Sequence, residues 1–113
     1  MKILEDKIKK ETLLEMSENV FNDEMIKAVV DVKKELVGID AEMHADIEQY
    51  MLEKGSAQED LWGINLYPEE DGGDFIEYDS MINVRPRQNN RSRYVEDGEI
   101  RKQIAEIVSK WCR

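Results

Sequence analysis

The sequence lacks the raw material for several kinds of protein. A single cysteine, Cys112, forms no internal bridge, and neither a CxxC pair nor a zinc-ligand spacing surrounds it. A disulfide scaffold is thereby excluded, a reducing compartment is expected, and Cys112 reads as an inert thiol near the end of the chain. The longest unbroken aliphatic run is Ala28-Val29-Val30, far short of a membrane span, and the opening MKILEDKIKK alternates in charge without an apolar leader core. A soluble, cytoplasmic protein with no membrane partner is the expectation. There is no Gly-rich phosphate loop, nucleophile elbow or HExxH, and no repeat or low-complexity linker divides the 113 residues. One domain over residues 1–113, able to bury a core without covalent staples, is the default at this length.

Charge is abundant, with a formal net charge of −10. That balance repels polyanions at long range and disfavours nucleic acid and anionic membranes. The distribution is uneven. Residues 80–94 hold Arg85, Arg87, Arg91 and Arg93 and no carboxylate, directly after the acidic run Glu69, Glu70, Asp71, Asp74, Glu77 and Asp79. A basic spot in an acidic chain is a candidate small-anion site, unless the arginines pair with the chain's own acids.

Hydrophobic spacing gives the elements. Thr12 and Glu15 fit a capping box for a first helix whose stripe is Leu13, Met16, Val20 and Phe21, with a stop at Asn22-Asp23. Met25–Val32 is rich in β-branched residues and reads as a strand. Lys33-Lys34 makes a tight turn into a second strand running from Leu36 to Met43, where Gly38 marks a bulge or a close approach. Asp46 caps a helix over Ile47–Lys54 that Gly55 ends. Leu61–Tyr67 alternates, with Trp62, Ile64 and Leu66 on one side and Gly63, Asn65 and Tyr67 on the other. An acidic turn leads to a strand over Phe75–Val84, closed by Pro86. An Arg/Asn-rich loop then precedes a last helix whose apolar stripe is Ile100, Ile104, Ile107, Val108 and Trp111.

The order α-β-β-α-β-β-α predicts an α+β fold. Two β-hairpins join in a four-stranded, mainly antiparallel sheet, with helices packed on one face and the other face partly open.

The stretches DLWGINLYPEE and SMINVRPRQNNRSR, together with KAVVDVKKEL and EMHADIEQYMLEKGSAQED, resemble a family of short prokaryotic proteins catalogued only as a domain of unknown function. The resemblance covers nearly the whole chain. It implies a single-domain cytoplasmic protein and brings no catalytic or binding residues with it. Members of that family carry a glycine near Asn89 and another near Asp40, and this sequence departs at both.

Four constellations carry chemistry. His44 is the only histidine. If the second strand runs through Asp46, then Glu42, His44 and Asp46 share a face, and a carboxylate orients the imidazole as base or ligand. The alternative is a purely structural histidine. One histidine and a remote Cys112 fall short of a zinc site, so no metal and no cofactor is implied. Asn65 and Asn83 are unusual in strands. With Arg85 as a bidentate clamp they can read a polar anion, or they can bond one another. Asn90, Arg91 and Ser92 can form an anion-binding turn of backbone amides, or a salt-bridged loop. Trp62 and Trp111 fit a core better than a stacking platform.

Two functions of different kind follow. One is a non-enzymatic binding module, dimeric through a sheet face or edge, in which Asn65, Asn83, Arg85, Asn90 and Arg91 hold a small anion or an acidic partner segment. The other is a small hydrolase with His44 as base and Arg85 or Arg91 stabilising negative charge. Single-stranded RNA binding through the arginine loop and Tyr94 ranks behind both.

Overall fold

The computed structural model describes residues 1–17 and 24–112. In chain order its elements are β1 (Lys2–Ile3), α1 (Lys10–Glu15), β2 (Ile26–Asp31), β3 (Leu36–Ile39), α2 (His44–Glu53), β4 (Leu61–Leu66), β5 (Ile76–Glu77) and α3 (Gly98–Trp111). The sheet is antiparallel throughout, in the order β1-β3-β2-β4-β5. The two hairpins, β2–β3 and β4–β5, join through a six-residue ladder between β2 and β4, from Ile26 opposite Leu66 to Asp31 opposite Leu61. The fold is thus α+β with joined hairpins, as expected.

Central position explains why β2 buries apolar residues on both sides. Ile26, Ala28 and Val30 face one layer and Val29 the other, all buried. The β2–β3 turn is set by Asp31. Its Oδ1 accepts from the backbone N–H groups of Lys33 and Lys34 at 3.0 and 2.9 Å, and its Oδ2 accepts from the Ser56 hydroxyl at 2.6 Å. An aspartate that bonds the backbone two and three residues on is a turn built from one side chain.

The first layer packs α3, through Ile104, Ile107 and Val108, and α1, through Leu13, against Trp62, Ile64 and Leu66 of β4 and Val37 and Ile39 of β3. Asp97 caps α3 by accepting from the Glu99 N–H at 2.9 Å.

Several expectations are corrected. A fifth strand, β1, adds to the β3 edge. The helices divide between the two faces: α2 lies on the opposite side from α1 and α3, with Ile47 and Met51 on Val29 and Leu61. The face expected to be open is therefore covered, and Gly63 and Asn65 on it are buried. The second strand stops at Ile39, because Asp40 has φ 75° and turns the chain, so α2 begins at His44 and not after a cap at Asp46. Helix α1 starts at Lys10, ahead of Thr12, with no side-chain cap. The expected continuation through Val20 and Phe21 to Asn22-Asp23 lies outside the described residues. The strand expected over Phe75–Val84 ends after Glu77, and Met81–Asn83 forms a 3₁₀ turn. Among the described residues no helix is long and apolar enough to cross a membrane.

Gly38 is a close approach without a bulge, since the register runs through it on both sides. A Cβ there would lie 2.7 Å from the Ile47 Cγ2 and 2.8 Å from the Met51 sulfur. Gly38→Ala is expected to cost about 1–2 kcal/mol, the lower part of the overpacking range because Met51 can yield. A urea midpoint that falls with an unchanged slope will show it.

Candidate functional site

Residues 61, 63, 65 and 67 of β4 and its extension direct their backbone groups away from β2, toward the β5 side. The strand β5 serves only part of that edge, through Glu77 opposite Asn65 and the Tyr67 N–H donating to the Phe75 carbonyl at 2.9 Å. Side chains complete the rest. The Gly63 N–H donates to Asn83 Oδ1 at 2.8 Å, and Asn83 Nδ2 donates to the Gly63 carbonyl at 2.9 Å, so one amide side chain stands where a strand residue would. Asn83 Nδ2 also donates to the Arg93 carbonyl at 3.0 Å. At the next position the Arg85 guanidinium donates to the Leu61 carbonyl.

Arg85 has further bonds of the same kind, to the carbonyls of Ile82 at 2.9 Å and Gln58 at 2.8 Å, and it stacks 4.8 Å from the Trp62 ring. Glu48 of α2 sits 3.6 Å from it. Burial raises the Glu48 pKa, with the Arg85 charge and Gln58 opposing, and burial lowers that of Arg85, with Glu48 opposing. Asn90 is equally committed. Its Nδ2 donates to the carbonyls of Asn83 at 2.7 Å, Ser92 at 3.1 Å and Tyr94 at 2.7 Å, while its Oδ1 accepts from the Glu96 N–H at 2.8 Å.

The turn at Asn90, Arg91 and Ser92 does gather amides around an anion, and the anion is the chain's own. The N–H groups of Arg91 and Ser92 and the Ser92 hydroxyl each donate to Glu96 Oε2 at 2.8 Å. These bonds, the hydroxyl first, hold the Glu96 carboxyl below its ordinary range. Arg91 itself is exposed, and Arg93 pairs with Asp79 at 2.7 Å.

His44 is 8% exposed, at the first residue of α2. Its Nε2–H donates to the Ile64 carbonyl at 2.7 Å, which fixes the tautomer. Burial lowers its pKa; the Ile64 bond, Asp79 and Asn65 oppose, while Lys27 reinforces. Glu42 and Asp46 no longer share a strand face with it, because His44 and Asp46 are in α2. Of the five expected ligand-binding residues, Asn65 alone is brought to His44. Its Nδ2 donates to Glu77 Oε1 at 2.8 Å and the Asp79 carbonyl at 3.2 Å. Asn83, Arg85 and Asn90 form a second, contiguous network along the β4 edge. Among the described residues no group of three or more His, Cys, Asp or Glu side chains is placed to hold a metal. Burial pushes the Cys112 thiol up to about 11, so it stays protonated at neutral pH.

Two grooves flank the sheet, one at each edge. That beside β1, about 1190 Å³, is lined by Lys2, Lys7, Lys9 and Lys54 and by Glu5 and Asp6, together with Ile3, Leu36, Tyr50 and Trp111. That beside β5, about 640 Å³, is lined by carboxylates and tyrosines. The lysine groove escaped the sequence because its cations come from the chain start and from the end of α2. Only folding places them together.

Asn83→Ala leaves a buried N–H and C=O of Gly63 without partners and is expected to cost about 3 kcal/mol, against less than about 0.5 kcal/mol for Arg91→Ala at the surface. Denaturant unfolding of both variants separates them. His44 supplies a pH test. Its folded pKa lies below the 6.5 of a free imidazole, so the unfolded chain binds the proton more readily. Its contribution to stability is complete above pH 6.5 and declines as the pH falls from there toward the lowered value. The melting temperature should drop between pH 7.5 and 5.5, and His44→Gln should flatten that part of the profile. An unchanged slope in the variant would assign the effect elsewhere.

No curated protein and no solved structure matches the chain. A family model matches residues 2–111, nearly the full length. On that match the chain belongs to the family described as "Protein of unknown function (DUF5674)".

Proposed function

We propose that this protein is a non-catalytic recognition module whose binding surface is the lysine-lined groove along β1, and that it takes an extended acidic segment of a partner. The observation that carries this reading is the coincidence of three features in one place. Lys2 pairs with Ile39, and the Leu4 N–H donates to the Val37 carbonyl, so the ladder's alternation turns the Ile3 N–H and C=O outward from the sheet edge. Four lysines line the groove against two acids. Leu36, Tyr50 and Trp111 supply apolar surface in the same groove. An extended segment can pair with the free edge, set alternate carboxylates against the ammonium groups and lay the residues between them on the apolar floor. The overall −10 charge acts over long distances, but within a Debye length of about 8 Å the local lysines dominate.

The anion reading through Asn65, Asn83, Arg85, Asn90 and Arg91 draws less support, because most of those donors already serve the chain's own carbonyls. The hydrolase reading asks a buried imidazole, bonded to Ile64, to act as base beside an Arg85 that is fully engaged.

The test is a titration of isotope-labelled protein with a blocked peptide alternating glutamate and valine, and with its lysine counterpart. Shifts at the Ile3 and Leu36 amides and the Trp111 indole are expected with the glutamate peptide only, and Lys2→Gln/Lys7→Gln should abolish them. Silence at those signals overturns the reading. A response to inorganic phosphate confined to Asn65–Arg91 would replace it with the anion site.

A further inference from the structure

The two edges of the sheet carry opposite charge. At the far edge the Asn65–Glu77 and Tyr67–Phe75 pairs face β4, which leaves the Ile76 N–H and C=O directed outward. The groove there is lined by Glu70, Asp74, Glu77 and Asp79 with Tyr78 and Tyr94. Glu77 and Asp79 are held in place by Asn65 and Arg93, while Glu70 and Asp74 are exposed. Four antiparallel steps separate β1 from β5, so the two edge strands run in the same direction.

These features decide between the ways two copies of the chain can meet. A two-fold contact through β1 sets lysine against lysine, and one through β5 sets carboxylate against carboxylate. Both are opposed by like charge at close range. Translating one copy across its own sheet instead places the acidic β5 edge of one molecule in the lysine groove of the next. There the tyrosines and the apolar floor meet, and the outward backbone groups of Ile76 and Ile3 come to adjacent strands.

We propose that the partner of the lysine groove is a second copy of this chain, docked head to tail by its acidic β5 edge. This rests on the preceding reading of the β1 groove and names the segment that occupies it. Such a contact is heterologous, so it repeats along a row of molecules and leaves uncovered edges only at the ends. Each edge strand is two residues long. Each junction is correspondingly weak, and assembly depends on concentration.

Complementation tests it. Lys2→Gln/Lys7→Gln neutralises one edge, and Glu70→Gln/Asp74→Asn removes two of the five carboxylates that line the other. All four side chains are exposed, and the bonds that Lys10 makes near the acidic edge go to the Glu70 backbone carbonyl and to Asp71, which neither variant changes, so both variants keep their fold. Circular dichroism verifies it. In sedimentation velocity the wild type should show an average mass that rises continuously with concentration. Each variant alone should remain monomeric, and an equimolar mixture should form one-to-one dimers and nothing larger. A wild type that stays monomeric up to roughly 1 mM overturns the proposal, as does a mixture that fails to associate or a dimer that both variants retain. If the glutamate peptide still binds the β1 groove in that case, only the head-to-tail partner is lost. If the peptide fails too, the groove itself is not a binding surface.

Discussion

The reciprocal pair between the Asn83 amide and the Gly63 backbone is the contact on which the rest of this half of the molecule depends. A sheet edge with a buried N–H and C=O must be paired, and β5 leaves β4 before reaching that position. Asn83 has one acceptor and one donor at nearly the spacing of a peptide unit, so it can take over the ladder for one residue. The substitution has a steric condition. The turn that presents Asn83 brings Ser80 so close that a Cβ on Gly63 would stand 2.5 Å from the Ser80 Cβ. Glycine at 63 and asparagine at 83 are two halves of one device.

That device recruits the residues after it. Asn83 stays in place because its own carbonyl accepts from Asn90, and Asn90 stays because the Glu96 N–H donates to it. Arg85 and Asn90 form a closed bridge, with Arg85 N–H to Asn90 carbonyl at 2.7 Å and the return bond at 3.1 Å, around a turn whose last residue, Asn89, is left-handed at φ 59°. Segment 80–97 is thus a polar brace in which amide and carboxylate side chains stand in for regular ladder bonds. Its residue types are those of a ligand site, because the chemistry that grips a foreign carbonyl or carboxylate equally grips one from the same chain. Composition cannot distinguish the two, and Glu96, five residues beyond Arg91, fills the amide turn before any ligand does.

The parts of the fold legible in the sequence are those governed by period and by local turn chemistry. The stripe of α3, the alternation of β4, the β2–β3 turn and the end of α2 at Gly55, with φ 104°, are all local matters. Misreadings occur where two structures share one pattern. Ile76, Tyr78, Ser80, Ile82 and Val84 alternate as a strand would, yet the second half is a 3₁₀ turn held by side-chain bonds no periodicity records. The covering of the second face by α2 follows from contacts between Gly38 and Ile47 or Met51, nine and thirteen residues apart, and so escapes any local window. Asp40 and Asn89 both take positive φ, close to where the family resemblance implies a glycine. Aspartate and asparagine tolerate that region better than other residues with a side chain, so the departure keeps the backbone at modest strain.

The arginine-rich stretch and the lysine groove behave differently because the two cations differ. Arginine has a planar fork of five donors and is the residue best suited to bridging carbonyls inside a protein. Arg85 reaches the carbonyls of Leu61, Ile82 and Gln58, Arg101 reaches those of Val95 and Glu96, and Arg93 grips Asp79. Within the dense stretch, Arg85 and Arg93 are thus engaged inside the chain, while Arg87 and Arg91 are exposed. Lysine is a strongly hydrated point charge on a flexible stem and tends to remain at the surface. Lys2, Lys7, Lys9 and Lys54 are all exposed; the first three are close in sequence, and Lys54 joins them only once β1 has paired with β3 and α2 has crossed the sheet. In a chain this acidic, an outward positive field forms where the lysines of the chain start meet Lys54.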